Sequence, residues 1–227
     1  MKLVHQDYSF QIEFEENVVQ KLIIESPHIL SSFLVELKRQ INGKEGKWVL
    51  SHEGEVLEIS DHMELIIDLF DLQINQRKIL KKLYDQIIQE INSTELLVEW
   101  TQLNSAWESM LNKATLNLEY NLEYESCDIR SFLKMMNVQF KEEEKGYFKY
   151  LLEYLQLQSE VRNIRIFCIV NCTSFLTEEE IAFLYEHACY KKLFLILLET
   201  KNISVNSEIE KTVIIDSDCC IINLYMK

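Results

Sequence analysis

Four glycines and a single proline, Pro27, serve all 227 residues, and that scarcity limits the fold more than any motif does. Tight hairpins need residues that tolerate positive φ or that fix φ in advance, so an all-β sandwich built on frequent turns lacks its turn chemistry here. Long helices joined to a few buried strands are the expected outcome. Hydrophobic residues make up 48% of the chain, which is enough for one large or two small packed domains and excludes disorder as the main state.

Periodicity divides the chain into three stretches. In residues 1–72, Phe10, Ile12 and Phe14 alternate with Gln11 and Glu13, and further strands are expected at 18–24, 48–50 and 56–59. Between them Ser26 is expected to cap a helix with Pro27 in its first turn, its apolar face being Leu30, Phe33, Leu34, Leu37 and Ile41 and its end Asn42-Gly43. The run 65–70 reads as a strand buried on both faces. From Asn75 the period becomes helical, with Ile79, Leu80, Leu83, Ile87, Ile88 and Ile91 in one helix and Leu96, Leu97, Trp100, Leu103, Trp107 and Leu111 in the next. Further helices are expected at 129–136 and 142–157. The last stretch alternates strand and helix: 164–170, then 178–189 opened by the capping box Thr177 and Glu180, then 193–198 and 213–215. The expected architecture is α/β: a discontinuous head of residues 1–72 and 161–227 and an inserted all-helical leg of residues 73–160.

The 37 acidic against 23 basic side chains give a net charge of -14, which argues against a protein that coats nucleic acid over its whole surface but permits one basic face. The leg holds ten of the 23 basic residues. No apolar run reaches the roughly 18–20 residues of a membrane span, so a soluble chain is expected. The N-terminal residues lack a signal peptide's apolar stretch, which points to the cytoplasm and to free thiols at Cys127, Cys168, Cys172, Cys189, Cys219 and Cys220.

Enzymatic chemistry finds little support. A nucleotide-hydrolysing lobe needs glycines where backbone N–H groups approach phosphates, and the segment from Gly43 to Trp48 has two residues between its glycines rather than four and follows a helix instead of opening one. The five histidines show no pairing with Cys, Ser or Asp that would mark a nucleophile and its base. Asp68, Asn171 and Glu199 stand at strand ends, where open α/β sheets hold ligands or simply cap the strand. The segment from Leu118 to Asp128 repeats Leu-Glu-Tyr and gathers carboxylate and amide oxygens. In an extended chain Glu119, Asn121, Glu123 and Glu125 would share a side suited to a hard cation, and in the other reading the segment is a solvated helix end with Asp128 as N-cap.

Several stretches, above all Ile166-Phe-Cys-Ile-Val-Asn-Cys-Thr-Ser-Phe-Leu-Thr-Glu-Glu-Glu180, with Asn121-Leu-Glu-Tyr124, residues 129–140 and Leu193-Phe-Leu-Ile-Leu-Leu-Glu199, resemble the Csn-two family of type II-A CRISPR spacer-acquisition proteins. The resemblance implies an α/β head of nucleotide-hydrolase-like topology without the phosphate loop and a helical leg, in a non-enzymatic ring of four copies that holds double-stranded DNA ends, is organised by calcium, and works beside the Cas-one and Cas-two integrase and the RNA-guided nuclease. Family calcium ligands would fall on Glu119, Glu123, Glu125 and Asp128, although Asn121 and Ser126 depart from acidic family positions. Lys134 matches a lysine of the family's lumen, and Arg130 lies one turn earlier on the same helix face. Lys141, Lys145 and Lys149 are spaced to share a helix face as well, either touching DNA or pairing with Glu142, Glu143 and Glu144. A degenerate nucleotide-binding protein and a scaffold that recruits the integrase without holding DNA are the rival readings.

Overall fold

The computed structural model describes residues 1–120, 122–142, 146–201 and 209–224, grouped in two units, Met1–Gln73 with Glu144–Lys227 and Ile74–Glu143. In chain order the first unit has strands β1 (Lys2–His5), β2 (Gln11–Glu13) and β3 (Val19–Ile24), helix α1 (Pro27–Ile41), strands β4 (Trp48–His52) and β5 (Glu55–Leu57), the one-turn helix α2 (Ile59–His62) and strand β6 (Met63–Ile66). The second unit holds helices α3 (Arg77–Ser93), α4 (Leu96–Thr115) and α5 (Ile129–Met135). The chain then completes the first unit with α6 (Tyr147–Arg162), β7 (Ile166–Val170), α7 (Glu178–Tyr190), β8 (Phe194–Glu199), β9 (Glu210–Ile215) and β10 (Ile221–Leu224).

The main sheet has the order β10-β9-β3-β8-β7-β6, parallel except for β10, and a second, antiparallel sheet has the order β2-β1-β4-β5. Central strands of a parallel sheet are covered on both faces, so they read as continuous apolar runs. β7 is buried at every position, and so is β3, although β3 carries Lys21. Helix α1 buries Ile29, Phe33, Leu37 and Ile41, spaced by four so that one stripe faces the core. The β7-α7-β8 crossover is parallel as expected, and α7 begins with the full capping box: the Thr177 hydroxyl accepts from Glu180 N at 3.2 Å, and Thr177 N donates to Glu180 Oε2 at 2.9 Å. His5 is a core histidine, stacked on Phe33 at 4.9 Å, with Nδ1 accepting from Asp7 N and Nε2 hydrogen-bonded to Glu36 at 2.8 Å.

Several expectations differ from the structure for identifiable reasons. The run 65–70 is strand only to Ile66. Asp68 then accepts the Phe70 N–H at 2.8 Å, a local turn that releases Ile67 and Phe70 to the surface. Ser26 stands at the N-cap of α1, but its side chain makes no capping bond. Helix α6, expected in the leg, lies in the first unit, where Arg162 donates to Glu64 Oε2 at 2.6 Å and the Tyr147 hydroxyl donates to Phe175 O at 2.7 Å.

The cysteines are free thiols. Burial pushes Cys168 up to about 12 and, with Glu199 adding to it, holds Cys172 far above the ordinary thiol range. Cys219 and Cys220 occupy the exposed turn between β9 and β10. Alkylation of the native chain at pH 8 is therefore expected to label Cys219 and Cys220 and to spare Cys168 and Cys172 until unfolding. Peptide mapping that found the latter pair labelled at native-state rates would contradict this packing.

Candidate nucleic-acid interface

Helix α3 is amphipathic, and its apolar side supports a small core of Tyr84, Ile129 and Leu133, flanked by Leu83, Ile87, Ile88, Ile91, Trp100 and Val138. Two local devices fix α5 against it. Asp128 caps α5, with Oδ1 accepting from Ser131 N at 3.0 Å and Oδ2 from the Ser131 hydroxyl at 2.5 Å. The Tyr84 hydroxyl donates to Val138 O at 2.9 Å just beyond the end of α5.

This packing opens a cleft of about 660 Å³ lined by Asn75, Arg77, Leu80, Lys81, Tyr84, Arg130 and Lys134. Arg77 and Lys81 are one turn apart on α3, and Arg130 and Lys134 are one turn apart on α5, so each pair projects from one helix face. Arg130 is hydrogen-bonded to Asp85, and that hydrogen bond holds the Asp85 carboxyl below its ordinary range. Arg77, Lys81 and Lys134 are exposed and have no ion-pair partner among the described residues. Like charges one turn apart destabilise a helix by a few tenths of a kcal/mol, about 0.2–0.5. The arrangement is therefore one that an anionic ligand relieves.

The structure places Arg130 and Lys134 on this cleft, and neither Lys141 nor Lys149 is in its lining. Lys141 precedes α6 and is not helical, Lys149 is in α6 in the first unit, and Lys145 lies outside the described residues. The reason is a contact between segments distant in sequence. Asn75 accepts from Phe140 N at 2.9 Å and donates to Phe140 O at 3.0 Å and Glu142 Oε1 at 2.9 Å, which holds residues 140–142 out of a helix, and Gly146 then caps α6. Arg77 and Lys81, which the sequence reading passed over, complete the cleft. The available signal was their spacing of four at the start of a helix whose opposite face is apolar.

Among its described residues the acidic segment forms no cation-binding cluster within the single chain. Glu119, Glu123 and Glu125 are exposed in chain without regular structure, Asn121 lies outside the described residues, and both Asp128 oxygens are occupied by Ser131. Among the described residues no group of three or more His, Cys, Asp or Glu side chains is placed to hold a metal ion. Glu119, Glu123 and Glu125 nevertheless supply the oxygen donors that suit a hard cation such as calcium.

Of the polar strand ends in the first unit, Asp68 and Glu199 are satisfied internally, whereas the buried Asn171 Oδ1 has no hydrogen-bond partner among the described residues. Glu199 accepts from Thr173 N at 3.1 Å and the Thr173 hydroxyl at 2.7 Å. Only Glu25 and Ser26 separate β3 from α1, where a phosphate-cradling loop would need several residues. No helix among the described residues is long and apolar enough to cross a membrane.

A family model described as CRISPR-associated protein (Cas_Csn2) matches residues 40–219. Among solved structures, the ADP conformation of MJ1267, an ATP-binding cassette of an ABC transporter, aligns at 14% identity over 90% of this chain and 79% of that one, with a TM-score of 0.45. A second structure of the same cassette aligns at 13% identity over the same shares, with a TM-score of 0.43.

Proposed function

Because this chain belongs to the CRISPR-associated Cas_Csn2 family, we propose that it is a non-enzymatic protein that holds the backbone of double-stranded DNA, without reading its sequence, during the capture of new spacers. The observation that carries this reading is the convergence of Arg77, Lys81, Arg130 and Lys134 on one cleft of an otherwise acidic chain. Phosphate contacts of this kind position nucleic acid and carry no sequence information. The two-residue β3-α1 connection supports the absence of nucleotide hydrolysis.

The reading includes assembly into a ring of four copies. Helix α4 has no buried residue, and its Leu96, Leu97, Leu103, Trp107 and Met110, with Met135 of α5, are between 41% and 62% exposed. A continuous apolar surface of this kind on a charged protein is characteristic of an interface. Calcium joins the proposal on the oxygen-donor chemistry of Glu119, Glu123 and Glu125, and sedimentation with and without chelator reads its effect on assembly. The integrase and the RNA-guided nuclease are the proposed protein partners, and the cytoplasm the proposed compartment.

Duplex binding at two salt concentrations tests the reading. Each phosphate neutralised contributes roughly 0.9 to the slope of log affinity against log salt, so a modest set of contacts per copy, repeated around a ring, gives a steep dependence. Lys134→Glu and Arg77→Glu are each expected to weaken linear duplex binding about tenfold or more and to flatten the slope, while Lys113→Glu, outside the cleft near the end of α4, leaves both unchanged. Folded Lys134→Glu and Arg77→Glu chains with the affinity and slope of the unaltered protein would remove the cleft from the proposal.

A further inference from the structure

A duplex presents its phosphates on a convex surface, and such a surface touches the rim of a cleft but not its floor. The floor here is apolar, formed by Leu80 and the Tyr84 ring, with the cations of α3 and α5 around it. Tyr84 is fixed as a wall because its hydroxyl is committed to Val138 O, and Asn75 is committed to Phe140 and Glu142, so neither is free to serve as a polar ligand. A volume of about 660 Å³ falls in the range of roughly 300–1,000 Å³ that accommodates a small molecule. Its chemistry specifies the occupant. Arg77, Lys81 and Lys134 form no direct ion pair among the described residues, although Lys81 lies in the field of Asp85 one turn away; they call for a multiply charged anion, and Arg130, held by Asp85, adds a fixed guanidinium. The apolar floor calls for a flat, weakly polar group attached to that anion, since bases stack or pack on such surfaces whatever their identity.

We propose that the cleft takes one phosphorylated nucleoside, its phosphate among Arg77, Lys81 and Lys134 and its base against Leu80 and Tyr84. The unit comes either from a free nucleotide or from the 5′-phosphorylated terminal nucleotide of a DNA strand. The inference deepens the duplex-holding reading and rests on it only for the second of these sources. Asp85 acts as a competing anion: it keeps Arg130 ordered, and it lowers the cleft's positive charge until a phosphate enters.

The test is calorimetric titration of the full chain with deoxyadenosine 5′-monophosphate, deoxyadenosine and inorganic phosphate, beside duplex binding with 5′-phosphate or 5′-hydroxyl ends. The monophosphate is expected to bind at least about tenfold more tightly than either fragment, and a 5′-phosphate to improve duplex affinity by a similar factor. A folded Lys81→Gln, Lys134→Gln double variant is expected to lose the monophosphate. Leu80→Ser is expected to weaken the monophosphate and leave inorganic phosphate unchanged. If duplex is held but the monophosphate binds no better than inorganic phosphate and the end group has no effect, the inference is overturned while the duplex reading stands. If the monophosphate binds tightly and duplex does not, the inference stands with the free nucleotide as its source and the duplex reading falls. Unchanged monophosphate binding by the folded double variant places the ligand elsewhere and overturns the site.

Discussion

Replacing Lys21 with alanine is expected to cost about 3–5 kcal/mol of folding stability, the range for removing one partner of a buried ion pair. Lys21 is 1% exposed in the middle of β3, and its Nζ lies 3.3 Å from Glu210 Oε1. The other Glu210 oxygen accepts from the Tyr185 hydroxyl at 2.9 Å, and the Thr212 hydroxyl donates to Oε1 at 3.2 Å. Burial, reinforced by Glu210, holds the Tyr185 phenol protonated far above its ordinary range, so it remains a donor at every pH the protein meets. Without Lys21 the carboxylate keeps two neutral donors and loses its counter-charge in a desolvated place. Against a total stability of about 5–15 kcal/mol, that loss is enough to unfold a substantial fraction of the chain. The double variant Lys21→Met, Glu210→Gln removes both charges at similar volume and is expected to recover most of the loss. Urea denaturation of the three variants decides the matter. A Lys21→Ala midpoint equal to that of the unaltered chain would mean that Glu210 is not paired as described.

The second large effect concerns assembly. Leu103→Glu with Trp107→Glu places two charges on the open face of α4, where both side chains are close to half exposed in the single chain. Surface changes of this kind alter the stability of one copy by about 0.5 kcal/mol or less, so the variant is expected to fold. Buried in the proposed interface, the same carboxylates lack partners, and the proposed four-copy assembly is expected to dissociate at micromolar concentration. Linked contacts raise affinity by about 10²–10⁴ through effective concentration alone. Duplex binding is therefore expected to fall further than with any single reversal in the cleft. Sedimentation of the variant as an unchanged tetramer would move the interface away from α4, and a tetramer lost with duplex affinity retained would separate assembly from DNA holding.

Much of the architecture is legible in the residues because local physics dictates it. The continuous apolar runs of β7 and β8 read as buried strands, the Thr177 and Glu180 pair marks the start of α7, and Asn42-Gly43 marks the end of α1, with Gly43 at φ +77° where other residues are strained. Where the reading failed, a longer-range contact decided. Nothing near Lys141 signals that the amide of Asn75, 65 residues from Phe140 in sequence, holds the segment before α6 out of a helix. Nothing in the run 18–24 signals that its one lysine meets Glu210, 189 residues away.

The candidate site divides in the same way. The sequence by itself determined the materials: long helices, a chain acidic overall with its basic residues concentrated in the helical stretch, and the face shared by Arg130 and Lys134, because composition and a period of 3.6 are properties of a single strand of residues. The hairpins β1-β2, β4-β5 and β9-β10 form despite the scarcity of glycine, Glu53 and Cys219 taking positive φ. Only the tertiary structure decided that Arg77 and Lys81 join them, that Asp128 is occupied as a cap, and that the apolar stripe of α4 stays uncovered. Each depends on which helix faces pack against each other, and packing is settled by the fit of side chains from distant parts of the chain, which no local pattern encodes.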